Sequence, residues 1–181
     1  MQVFTDASHA SCVDTRRSVL STVFKLGGNT VYWKSCFSSI VSHSSTESEL
    51  MALDNPTTIS EGLRWLTESM GGPVQETIQI FVDNTGTITI SQNPVQSGRN
   101  LYVHARYFYV RDLAYSGSVA VVHLPINLQV ADVDCTYKGG VSYRKLRGYL
   151  MECARVKHDA SEVARWQYRD ESLQATEAAL L

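Results

Sequence analysis

The chain has 181 residues with 44% hydrophobic content and a formal charge of -2, ordinary values for a globular protein able to bury a sizeable core. The near balance of charge does not suggest a general polyanion binder, and Gly and Pro are not enriched. Four widely spaced cysteines (Cys12, Cys36, Cys135, Cys153) contain no C-x-x-C pair, which argues against a zinc module and against a secreted disulfide framework. No basic-then-apolar leader and no membrane-length apolar run is present, so an intracellular setting without a membrane partner is the expectation.

Met1 to Thr5 reads as a short strand that delivers Asp6 at its end. Ser8 to Arg17 is polar and loop-like. "SVLSTVFKL" (18–26), the turn "GGN" (27–29) and "TVYWKS" (30–35) together read as a hairpin. A short apolar patch, "SSIVSH" (38–43), leads into "SSTESELMALD" (44–54), a helix start with Ser45 or Thr46 as candidate cap. That helix is expected to run towards Met70, where "GGP" stops it, and Pro56 should kink or interrupt it. "TIQIFVDN" (77–84) is a buried-type strand ending in Asp83, and "TGTITISQN" (85–93) a short helix. "LYVHARYFYVRDLAY" (101–115) has helical apolar spacing, "GSVAVVHLP" (117–125) is a strand, and "NLQVADVD" (127–134) opens a helix with Asn127 as cap. From Val141 onward the pattern is helical and increasingly charged.

The order β-β-β-α-β-α-α-β-α implies an α/β or α+β fold, a five-stranded mixed sheet flanked by helices. Residues 1–151 are expected to form that domain, and 152–181 a C-terminal helical extension or tail. Tyr107, Phe108, Tyr109, Trp33 and Trp65 are read as core aromatics.

Asp6 and Asp83 end strands, Glu47 or Glu49 opens a helix, and Asp132 lies in "VAD". A single acid at such a place is usually a turn-former or a cap complementing the helix dipole. Four that meet would repel one another, and divalent cations relieve that repulsion. Carboxylate oxygens are usual Mg²⁺ ligands, and a pair of such ions is a device for phosphodiester hydrolysis. Spacing alone does not bring residues 6, 49, 83 and 132 together.

The landmarks "TDA" (5–7), "DTRRS" (14–18), "FKLGGNTVYW" (24–33), "SSTESELMAL" (44–53), "VDN" (82–84), "NPV" (93–95), "RYFYVRD" (106–112), "LP" (124–125) and "VAD" (130–132) occur in one order over Val3–Leu150. In that order and spacing the chain resembles the ribonuclease H domain of copia-type LTR retrotransposon polyproteins. The resemblance implies a ribonuclease H-like fold and an endonuclease that hydrolyses the RNA strand of RNA–DNA hybrids. It also implies two Mg²⁺ ions, with Mn²⁺ as substitute, held by Asp6, Glu49, Asp83 and Asp132. The E-L-M-A signature selects Glu49 over Glu47, and the two point to nearly opposite sides of a helix. The implied partners are the hybrid and a reverse transcriptase domain of a parent polyprotein. The implied setting is cytoplasm, virus-like particle or nucleus.

Arg16, Arg17, Asn84, Arg99 and His104 are the candidate substrate contacts, with solvated loop arginines as the ordinary alternative for the first two. His123 is the candidate for proton transfer or product release, against a partly buried structural histidine. The chain departs from the family at Ser8 and His9, where an acid and an aromatic are usual. It departs again at Leu101, Tyr102, His104 and Phe108, and at Cys135 and Thr136 in place of a hydroxyl–lysine pair. No departure removes one of the four acids. They motivate the alternative function, a catalytically degenerate or domesticated module that binds nucleic acid or protein.

Overall fold

The structure, a computed structural model, describes residues 1–72, 77–92, 105–136 and 140–151. Its strands are β1 (Gln2–Ser8), β2 (Val19–Leu26), β3 (Asn29–Phe37), β4 (Ile78–Val82) and β5 (Val119–His123). Its helices are α1 (Ser45–Ser69), α2 (Thr85–Gln92), α3 (Ala105–Tyr115), α4 (Asp132–Cys135) and α5 (Gly140–Met151). The expected order of strands and helices is the one observed. The segment 152–181, expected as an extension, lies outside the described residues.

The sheet order is β3-β2-β1-β4-β5. The β1–β2 and β2–β3 pairs are antiparallel, as the hairpin with Gly27 and Gly28 at positive φ requires, whereas β4 runs parallel to both β1 and β5. Alternation along the strands feeds two cores. Val3, Phe24, Ile78, Ile80 and Val82 pack with Leu53 of α1 and Val110 of α3. The intervening Phe4, Val23 and Phe81 pack with Leu124, Val130 and Ala131, and with Tyr149 and Leu150 of α5. Each central strand is therefore apolar on both faces, the usual condition of a strand sandwiched between helical layers.

Several local expectations are corrected. The cap of α1 is Ser44, one residue earlier than expected: its Oγ accepts from Glu47 N at 3.1 Å. Glu47 in turn accepts from His43 N at 2.6 Å, so it holds the helix entry together from the other side. Pro56 does not interrupt α1, which continues to Ser69. The helix stops where Gly71 takes φ +74. Asn127 lies within a 3-10 turn (Ile126–Leu128) and does not cap α4, whose N-cap is Ala131 without a side-chain bond. Asp6 lies inside β1, two residues before its end. The two tryptophans are not core: Trp33 and Trp65 are 67% and 69% exposed. Trp33 sits on the outer strand β3 and Trp65 in the distal half of α1, each on the side turned to solvent. Tyr109 is likewise exposed.

Candidate active site

Asp6 is the hub. Its carboxylate oxygens come within 4.8 Å of ligand atoms of Glu49 and Asp83 in one group, and of Asp132 and Cys135 in another. Four residues from α1, the end of β4 and α4 thus meet around the buried carboxylate that β1 supplies. Pairing between β1 and β4 ends at Phe4 and Phe81, and both chains run on towards the acids. The buried amide of Gln129 takes the place of the next rung, donating from Nε2 to Thr5 O at 2.9 Å and to Phe81 O at 3.3 Å. Gln129 also precedes Asp132 by three residues, so one side chain fixes three of the segments that carry acids.

The surroundings set the charge. Burial pushes the Glu49 carboxyl up to about 9, with the Asp6 and Asp83 charges adding to the rise. Asp6 is pushed up to about 6, again chiefly by burial. The Cys135 thiol, donating to Asp6 Oδ2 at 2.5 Å, partly opposes that rise, while Asp132 and Asp83 reinforce it. The thiol itself is raised far above its ordinary range by burial and by the Asp6 charge. Burial also raises Asp134, which lies outside both groups.

Glu49 is only 6% exposed, and its Oε2 has no hydrogen-bond partner among the described residues. A buried carboxylate oxygen without a donor is costly unless a proton or a cation meets it. The cluster around Asp6, Glu49 and Asp83 offers oxygen ligands alone, the donor chemistry that suits Mg²⁺ or Mn²⁺. These residues fit a divalent cation.

The remaining candidates divide. Asn84 Oδ1 accepts from Gly86 N at 2.9 Å and Thr87 N at 3.2 Å, so that oxygen caps α2. A Cβ on Gly86 would stand 3.0 Å from that oxygen and 3.3 Å from the Thr46 side chain, so the cap and the close approach of α2 to α1 both favour glycine there. His123 is exposed at the end of β5 and pairs in register with Val82, the residue before Asp83; the expected partly buried setting is not observed. Arg16 and Arg17 are exposed in the loop between β1 and β2, where Arg16 takes φ +54. Arg99 and His104 lie outside the described residues.

One residue of the site was not chosen from sequence: Cys135 was seen only as a departure, although a thiol three residues after an acid shares its helical face. His9, also a departure, places Nδ1 at 3.1 Å from Ser42 Oγ and 3.5 Å from Ser48 Oγ, against the first turn of α1.

No protein-family profile matches the chain. Over 132 residues, 72% of the chain, it is 26% identical to the retrovirus-related Pol polyprotein from transposon TNT 1-94 of Nicotiana tabacum. Two such polyproteins of Arabidopsis thaliana, from transposons RE1 and RE2, match at 27% over 73% of the chain. The matched region spans about a tenth of these relatives' length. Among solved structures, LC11-RNase H1, isolated from compost, superposes with a TM-score of 0.52 at 14% identity, covering 72% of this chain and 88% of that one. The foamy viral protease-reverse transcriptase, solved in complex with an RNA/DNA hybrid, gives 0.52 at 12% identity, covering 79% of this chain and 20% of that one. The fold is that of ribonuclease H. The chain's homologues are retrovirus-related Pol polyproteins of plant transposons, in keeping with the copia-type resemblance in its motifs.

Proposed function

We propose that this domain is a metal-dependent endonuclease that hydrolyses the RNA strand of an RNA–DNA hybrid, within the reverse-transcription machinery of a retrotransposon. The observation that carries the reading is the convergence of Asp6, Glu49 and Asp83 in a largely buried, oxygen-only cluster, with Asp132 in a second group that shares Asp6. In this reading Asp6, Glu49, Asp83 and Asp132 would hold two Mg²⁺ ions, which would supply an activated water for attack at phosphorus and neutralise charge on the departing 3′ oxygen.

The chain's own residues orient and neutralise. Glu49, disposed to hold a proton in the metal-free site, would give it up when cations arrive. Gln129 holds the backbone from which Asp6 and Asp83 project. His123, exposed at the same sheet end, is available to move a proton during leaving-group departure or product release. Arg16 and Arg17, together with Arg99 and His104, are the substrate contacts in this reading. Recognition of the hybrid rests on its groove shape, phosphates and 2′-hydroxyls. A reverse transcriptase domain of a parent polyprotein is the partner. No helix among the described residues is long and apolar enough to cross a membrane, and an intracellular setting is part of this proposal.

The test is cleavage of a hybrid carrying end-labelled RNA in Mg²⁺ and then Mn²⁺, beside Asp83→Asn. Cleavage of the RNA strand only in the hybrid, lost in the variant, is the expected result. An RNA strand left intact in both metals by a folded protein overturns it. One observation favours a second reading, a non-catalytic module: the Cys135 thiol donates a hydrogen bond to Asp6 Oδ2, occupying an oxygen that the nuclease reading needs. Hybrid binding without cutting, insensitive to Mg²⁺, is the outcome that reading requires.

A further inference from the structure

Pro56 lies inside α1 yet the helix runs through it. Proline has no N–H, so the carbonyl four residues back, that of Ala52, loses its helical donor. Ala52 is fully buried, away from any water that could serve instead. A donor from outside the helix takes the place: Thr5 Oγ1, on β1, lies 2.9 Å from Ala52 O. The same hydroxyl lies 3.1 Å from Ser21 O on β2. It carries one proton, and the shorter contact goes to the carbonyl that proline has deprived. Thr5 is itself 0% exposed, and these two carbonyls are its hydroxyl's acceptors among the described residues.

The positions at the two ends of this bond matter. Thr5 immediately precedes Asp6, and strand alternation turns Thr5 towards α1 while Asp6 faces the α4 side. Ala52 lies one turn after Glu49, and Pro56 one turn further, all three on the buried stripe of α1. We propose that Thr5 is a positioning residue: its hydroxyl binds the Ala52 carbonyl that Pro56 leaves without an N–H, and this single bond fixes the distance between Glu49 and Asp6. The role rests on the reading of Asp6 and Glu49 as cation ligands.

A four-protein cycle of the parent, Thr5→Val, Pro56→Ala and the double variant tests it, with Thr5→Ser as the conservative control. Mn²⁺ affinity is read by titration calorimetry and folding by thermal unfolding without metal. With Pro56 present, Thr5→Val weakens Mn²⁺ binding by about tenfold, the usual effect of removing a residue that orients a ligand. In the Pro56→Ala background the alanine N–H takes the Ala52 carbonyl, and Thr5→Val then changes affinity by less than about twofold. Thr5→Ser retains parental affinity. If Thr5→Val alone does not fold, recovery of folding and Mn²⁺ binding in the double variant gives the same answer. Equal losses in both backgrounds overturn the proposal, because the hydroxyl then acts through Ser21 or through packing. A parent that binds no Mn²⁺ overturns the cation-site reading, and the positioning role with it. The thermal cycle separates that case, since coupling between positions 5 and 56 in metal-free unfolding reports the bond independently of any cation.

Discussion

Asp6 is shared by two sets of neighbours: a first side of Glu49 and Asp83, carboxylates delivered by a helix and by the end of a strand, and a second side of Asp132 and Cys135, both from the four-residue helix α4. The first side holds oxygen alone and includes a buried Glu49 oxygen with no donor among the described residues. The second side carries its own donor, the Cys135 thiol on Asp6. Both crowd negative groups against Asp6; the Ala7 backbone N–H lowers Glu49 and Asp6, and the Cys135 thiol lowers Asp6 further from the second side. The oxygen-only side holds the buried Glu49 oxygen without a donor and the carboxyl that burial raises furthest, the two features a cation would answer.

The comparison breaks most visibly under substitution of its acids. Glu49→Gln keeps the shape of the oxygen-only side and removes its charge, and should reduce hybrid cleavage by about a thousandfold, comparable to losing a principal electrostatic contact in a transition state. Cys135→Ala should alter the same rate by less than about threefold, because in the nuclease reading a bound cation would displace the thiol from Asp6 and the hydrogen bond lost is of modest net worth. Similar losses in the two variants would erase the distinction between the sides.

Gln129→Leu strikes the frame beneath both sides. It strips the donor from Thr5 O and Phe81 O in a fully buried place, and should lower unfolding free energy by about 2–4 kcal/mol in chemical denaturation. A loss confined to a few tenths would mean that the rung between β1 and β4 is not held by this amide.

The pH response belongs to the oxygen-only side. Glu49 titrates near 9 when folded against 4.5 when free, so in the metal-free protein its folded form binds the proton more tightly. That stability is complete below about pH 4.5 and is lost progressively as the pH rises through 9. Thermal unfolding of metal-free protein should fall across this window, and Glu49→Gln should flatten the slope. At pH 7 Mn²⁺ binding should release roughly one proton, chiefly from Glu49, visible as a buffer-dependent binding enthalpy. The smallest expected effect is on the other side: Cys135→Ala removes a hydrogen bond that lowers Asp6, and its carboxyl should titrate higher by less than about one unit in carbon-detected NMR.

Much of the fold was legible because its signals are local. The alternation of "SVLSTVFKL" and "TVYWKS" around two glycines specifies a hairpin wherever it occurs. The apolar run before Asp83 is long enough for a strand sandwiched between layers and too short for a buried helix. Trp33 and Trp65 misled because spacing identifies a face without saying whether anything covers it. Ser44 rather than Ser45 or Thr46 became the cap because one serine in a run of three candidates aligns its oxygen with Glu47 N.

The sequence by itself determined the order of elements and the chemical types available at their ends, including the four acids singled out by resemblance. It also determined that the chain is uniform enough in composition to fold around an ordinary apolar core. Tertiary structure alone decided that Asp6 is the meeting point of two groups, since contacts between residues 6, 49, 83 and 132 depend on sheet order and helix packing, which no local pattern encodes. It alone decided that Cys135 faces Asp6, and that Pro56 leaves α1 continuous. A proline's effect on a helix depends on whether some distant group can satisfy the carbonyl it strands, and here that group is a hydroxyl forty-seven residues away in sequence.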